Sequence, residues 1–198
     1  MDVLIGIRSA CAAMCASTSG ANWVGVINAE YTVGLSASFL RTQLTVVDLA
    51  EQSEVQDGAA LLRKNLETVA RILELEIATD PTTLFQRPPN VGVLRGNAKK
   101  LYGGYSEIAH SAHPRTSQLP GGPEDGRTGL VSIHPKYTEH TLVLITNAFA
   151  VFGEFYVWAD ETFPKVMSEY PKREIDRLMG IPVQSYEATT AHIDALRA

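Results

Sequence analysis

The sequence predicts an all-α fold, a single-domain bundle of about five to seven helices around a central apolar helix, with room for one short strand or hairpin. Three observations predict it. Apolar residues recur at spacings of three and four along most of the chain, the signature of amphipathic helices. The run Leu142–Ala159 carries only Asn147 and Glu154 as strongly polar members, as expected of a helix in the middle of a bundle. No internal repeat or linker divides the 198 residues, a length that suits one sizeable core.

The first helix uses Val3, Leu4, Ile7, Cys11, Met14 and Cys15 and ends near Ser17-Thr18-Ser19-Gly20. A second, longer segment lines Val24, Ile27, Tyr31, Leu35, Phe39, Val46 and Leu49 along one side, weakened by Gly25 and Gly34. Asp57-Gly58 is expected to break or cap the chain there. The next helix has the clearest pattern, Leu61, Leu62, Leu66, Val69, Ile72, Leu73 and Ile77. Its other face carries Arg63, Glu67, Arg71 and Glu74, spaced for ion pairs between successive turns.

Asp80-Pro81 and Pro88-Pro89-Asn90 bound a loop. A helix is then predicted from about Val91, through Leu94, Ala98, Leu101, Tyr105 and Ile108, to the region of His113-Pro114, where proline stops it. Residues 114–129, with Pro120-Gly121-Gly122-Pro123 and Asp125-Gly126, read as an exposed loop. Leu130–Ile133 is a candidate strand. The central helix begins at Thr138 and is closed by Pro164, and two lesser helices follow within about 172–197, near Lys172–Met179 and Tyr186–Arg197. The core is expected within about residues 20–165.

Net charge is −5 and the pI is near 5.5. An acidic chain is a poor partner for nucleic acid, whose phosphates need clustered Lys and Arg. Cys11 and Cys15 stand four apart, too far for comfortable disulfide geometry on a helix, and suit a reducing cytoplasm. The acidic start of the chain is a poor secretory signal, and the one apolar run barely reaches spanning length, so the expectation is a cytoplasmic protein with no membrane association.

The candidate chemistry lies in Tyr102 to Pro114. On a helix, Tyr102, Ser106, His110 and His113 share a stripe. That face is either a polar pocket, with His110 as acid, base or ligand, or a hydrogen-bonded network between helices. Glu107-Ile108-Ala109-His110 is one Glu-x-x-His unit, but a bundle metal site needs a second, so no metal is expected. Glu154, mid-way along the apolar helix, requires a partner because an isolated buried charge is costly; Arg63 is one candidate and Arg71 another. No phosphate-cradling loop, nucleophile elbow or dinucleotide fingerprint is present, so no cofactor is expected.

Leu61–Glu67, followed by Tyr102-x-x-Tyr105-Ser106-Glu107-x-x-His110 and by Val131–Tyr137, resembles a group of uncharacterised bacterial helical proteins. That group pairs an Arg-x-x-x-Glu helix with a Tyr-x-x-x-Ser-acidic-x-x-His helix. The resemblance covers about residues 55–165 and implies that Arg63, Glu67, Tyr102, Ser106 and His110 meet. More distantly, the layout resembles the HEPN superfamily of nucleotide-binding and ribonuclease bundles. This chain departs from the HEPN pattern: Gly103, Gly104 and Tyr105 stand where an arginine is needed before His110. Arg127 to His134 has the spacing, but it lies in a glycine-rich loop and ends at Pro135.

Two function classes follow. One is a bundle acting through a protein partner or as a homo-oligomer, motivated by the apolar excess on the central helix. The other is a HEPN-like nucleic-acid-processing or nucleotide-binding enzyme, with Arg63 and His110 catalytic and Glu67, Tyr102, Ser106 and Glu154 binding. A metal-binding bundle enzyme is a third. Whether the protein is an enzyme is left open by the residues alone.

Overall fold

The computed structural model describes residues 2–18, 21–26, 28–95, 98–109, 137–167 and 169–180. Among these there are six α-helices and no strand: α1 (Asp2–Ser17), α2 (Ala29–Glu51), α3 (Val55–Ile77), α4 (Ala98–Ala109), α5 (Glu139–Val166) and α6 (172–180). The predicted strand at Leu130–Ile133, the loop over 114–129 and the helix from Tyr186 lie outside the described residues.

α5 takes the central position predicted for it, packing against α1, α2, α3 and α4. Its buried face carries Leu144, Ala148, Val151, Phe152, Phe155, Trp158, Ala159 and Phe163. Phe155 is the hub of an aromatic stack. Its ring lies 4.2 Å from Phe39 of α2 and 5.4 Å from Trp158, and Phe163 closes on Trp23 at 5.8 Å. Such ring pairs contribute about 0.5–1.5 kcal/mol each beyond area burial. By length and composition α5 is also the one described helix that could cross a bilayer, and half of its apolar window is buried inside the bundle.

Boundaries follow local chemistry. Thr138 precedes α5, and its N–H donates to the Thr141 hydroxyl at 3.2 Å. Pro164 sits within the last turn of α5, which runs on to Val166. α2 begins later than the periodicity predicts. Gly25 takes a positive φ of 90°, and Asn28 a left-handed φ of 56°, so the chain turns at these two residues before the helix starts. The Asn28 amide then donates to the Leu75 and Ala78 carbonyls at 3.0 and 3.4 Å, capping the end of α3 from the start of α2.

Two other expectations are corrected. The break between α2 and α3 falls at Gln52–Glu54, with Ser53 at φ 62°, and Gly58 lies inside the first turns of α3. A Cβ at Gly58 would stand 2.6 Å from Leu144 Cδ2, so the glycine permits α3 to approach α5. α4 begins at Ala98, not near Val91. Asn90 caps a single 3-10 turn, Val91–Val93, by accepting from the Gly92 N–H at 3.0 Å, and Leu94 is extended.

Candidate functional site

α3 and α4 pack side by side, and three of the residues expected to meet do so across that seam. Arg63 and Glu67 are one turn apart on α3 and form an ion pair at 3.2 Å. From α4, the Tyr102 hydroxyl donates to Glu67 Oε1 at 2.9 Å, and Arg63 Nη2 donates to the Tyr102 oxygen at 3.5 Å. The guanidinium carbon stands 5.6 Å from the centre of the Tyr102 ring, within cation–π range. The Tyr102 hydrogen bond raises the Arg63 pKa; partial burial works the other way, and the Glu67 charge adds to the rise.

The side chains of Arg63 and Glu67 are 24% and 30% exposed, so the cluster sits at a surface edge of the seam. Chemically it is a carboxylate that faces two donors, a guanidinium and a phenol, with the phenol oriented between the charges. Ser106 follows Tyr102 by one turn of α4 and is half-buried. His110, two turns on, lies outside the described residues, as does His113. Glu107 is exposed on α4. Among the described residues no group of three or more His, Cys, Asp or Glu side chains could hold a metal ion.

Glu154 is partnered differently from the expectation. Its Oε2 accepts from the backbone N–H of Arg95 at 3.4 Å. Burial raises its pKa, and Arg95 opposes this through the N–H and its charge. Arg71 is committed elsewhere. It is buried beside Glu74 at 3.2 Å, and its guanidinium donates to the Arg87 carbonyl. Arg87 itself reaches Glu74 at 2.8 Å. Arg71 and Glu74, expected on the helix face opposite the apolar stripe, are therefore a buried ion network that fastens the 81–94 segment to α3. In sequence they stand three apart, and the partly exposed Arg63 and Glu67 four apart; both spacings place a pair on one helix face, so neither tells buried from exposed.

A second buried polar set was not anticipated at all. Gln43 of α2 donates to the Ala148 carbonyl of α5 at 2.9 Å and accepts from the Asn65 amide of α3 at 2.8 Å. Both side chains have no solvent exposure. A single amide thereby ties three helices together.

Two apolar concavities flank the bundle. The larger, about 640 Å³, lies where the start of α2 meets the 3-10 turn Pro81–Leu84. Tyr31 and Phe85 meet over it at a tilt of 40° with ring centres 4.8 Å apart, and they are 44% and 52% exposed. The periodicity put Tyr31 on the core side of its helix. In the fold the core side is held by Phe39, Val46 and Val47, while Tyr31 leans on a loop residue. Gly34 leaves the floor open, with no atom within 4 Å of where a Cβ would stand. The smaller concavity lies between α1 and α2.

Compared with protein-family models, curated proteins and solved structures, the chain has no match.

Proposed function

We propose that this bundle is a binding module that self-associates through the aromatic groove at the head of α2. The observation that carries this reading is the tilted, half-exposed ring pair Tyr31 and Phe85 over a groove of about 640 Å³. Exposed aromatics that pack on one another present a rigid apolar surface at low entropic cost, the character of an interface centre. Among the described residues Glu30, exposed at the start of α2, is the one charged residue lining the groove. Association there must leave both copies' Glu30 carboxylates in solvent, because two like charges buried together without a cation would be costly. Half of the apolar window of α5, the first motive for expecting an oligomer, is buried inside the bundle.

Sedimentation velocity of the full chain across a concentration series tests this. Wild type is expected to associate as concentration rises. Tyr31→Asp and Phe85→Asp, each checked for helical content, are expected to stay monomeric. A wild-type chain that is monomeric throughout, or an oligomer untouched by both substitutions, overturns the proposal.

The meeting of Arg63, Glu67 and Tyr102 favours a second reading, a HEPN-like nucleotide-handling or RNA-cleaving enzyme. Arg63 and His110 would then act on a phosphodiester, with Glu67, Tyr102 and Ser106 positioning them. RNA cleavage or nucleotide binding lost in both Arg63→Gln and His110→Ala would support it. Equal activity in wild type and His110→Ala would remove its ground.

A further inference from the structure

The smaller concavity has a different chemistry from the aromatic groove. It occupies about 380 Å³ between the end of α1 and the middle of α2. Trp23, Val33, Leu40 and Leu44 supply apolar walls, Cys15 opens onto it from α1, and Arg41 stands at its edge. Trp23 is set edge-on against Phe163 of the core, so this wall is fixed from behind.

Arg41 is the informative residue. It is exposed on α2, and the positions one turn away on either side are Ala37, Ser38, Leu44 and Thr45, none of them acidic. Among the described residues no ion pair joins Arg41, Arg173 or Arg177 to a carboxylate, whereas Arg8, Arg63, Arg71 and Arg87 are engaged with acids; of those three, Arg41 lines this slot. In a chain of net charge −5, an arginine left without an acid beside an apolar slot is complementary to an anionic ligand with an apolar body.

We propose that this slot binds a single aliphatic chain ending in a carboxylate. The chain would lie against Trp23, Leu40 and Leu44, with its head group on the Arg41 guanidinium. The volume falls near the lower end of small-ligand sites, ~300–1,000 Å³, which suits a medium-length chain. One guanidinium matches a carboxylate in charge and in its two-pronged geometry, whereas a phosphate dianion calls for further donors.

The test uses sodium decanoate below its micellar range, with decanol as the uncharged control. Trp23 lines the slot, while the other tryptophan, Trp158, is buried in the core. Saturable change in tryptophan emission with decanoate is expected, and it should vanish in Trp23→Phe. Arg41→Gln is expected to weaken decanoate about tenfold and leave decanol unchanged. A second readout is alkylation of Cys15, expected to slow when decanoate is bound; Cys11 is fully buried. The proposal is overturned if decanoate does not saturate, or if Arg41→Gln binds it as wild type does.

Discussion

At Tyr102 a single hydroxyl joins α4 to a charged pair on α3, so its removal isolates what the clamp contributes. Tyr102→Phe keeps the ring beneath Arg63 and deletes the hydrogen bond to Glu67 together with the longer one accepted from Arg63. A half-buried, charge-assisted bond of this kind contributes about 1–2 kcal/mol, and urea unfolding should show a loss of that size. Glu154 offers the opposite sign. Burial raises its pKa in the fold above the ordinary 4.5, so the folded protein holds a proton that the unfolded chain has already lost. Stability therefore falls as pH rises through that window, and above it the fold carries the full penalty of the charged carboxylate. Glu154→Gln, which can still accept from the Arg95 N–H, is expected to melt higher than wild type at pH 8. The difference should close as pH drops below 4.5. The Arg63–Glu67 pair could be anticipated from helical spacing, whereas the meeting with Tyr102 on α4 was implied only by the family resemblance. The partner of Glu154 could not, because Arg95 supplies a backbone N–H, which every residue but proline possesses.

Among the helices, glycines separate propensity from packing. Gly153 lies in the interior of α5 with nothing within 4 Å of a built Cβ. Alanine there should stabilise by about 0.5–1 kcal/mol through helix propensity alone. Gly58 in α3 has the same propensity to gain, but its Cβ would press into Leu144, a side chain only 1% exposed. Overpacking of about 1–3 kcal/mol should cancel the benefit in Gly58→Ala and leave Gly58→Val clearly less stable. Thermal melts of the three variants under one condition would show the order Gly153→Ala above wild type and Gly58→Val below it. From sequence Gly58 reads as a break or cap beside Asp57. Only the approach of α5 shows why a glycine stands there, just as only the positive φ of Gly25 and Asn28 shows where α2 begins.

For the bundle as a whole, the Gln43–Asn65 pair has the widest reach, since it touches α2, α3 and α5 in a region with no solvent. Gln43→Leu should cost about 2–3 kcal/mol, because it strands the buried Asn65 amide without its acceptor. Adding Asn65→Leu should recover part of that loss, and a double-mutant cycle in urea would measure the coupling. Equal, additive losses would mean that the two amides act independently. Helix identity, the central place of α5 and the Thr138 start were legible in the sequence alone, because they rest on periodicity and capping, which are local. Which polar residues are buried, where Tyr31 points, and which arginines find acids were decided only by the tertiary structure. Those outcomes depend on how neighbouring helices meet, and a pattern along one helix carries no record of the surface packed against it.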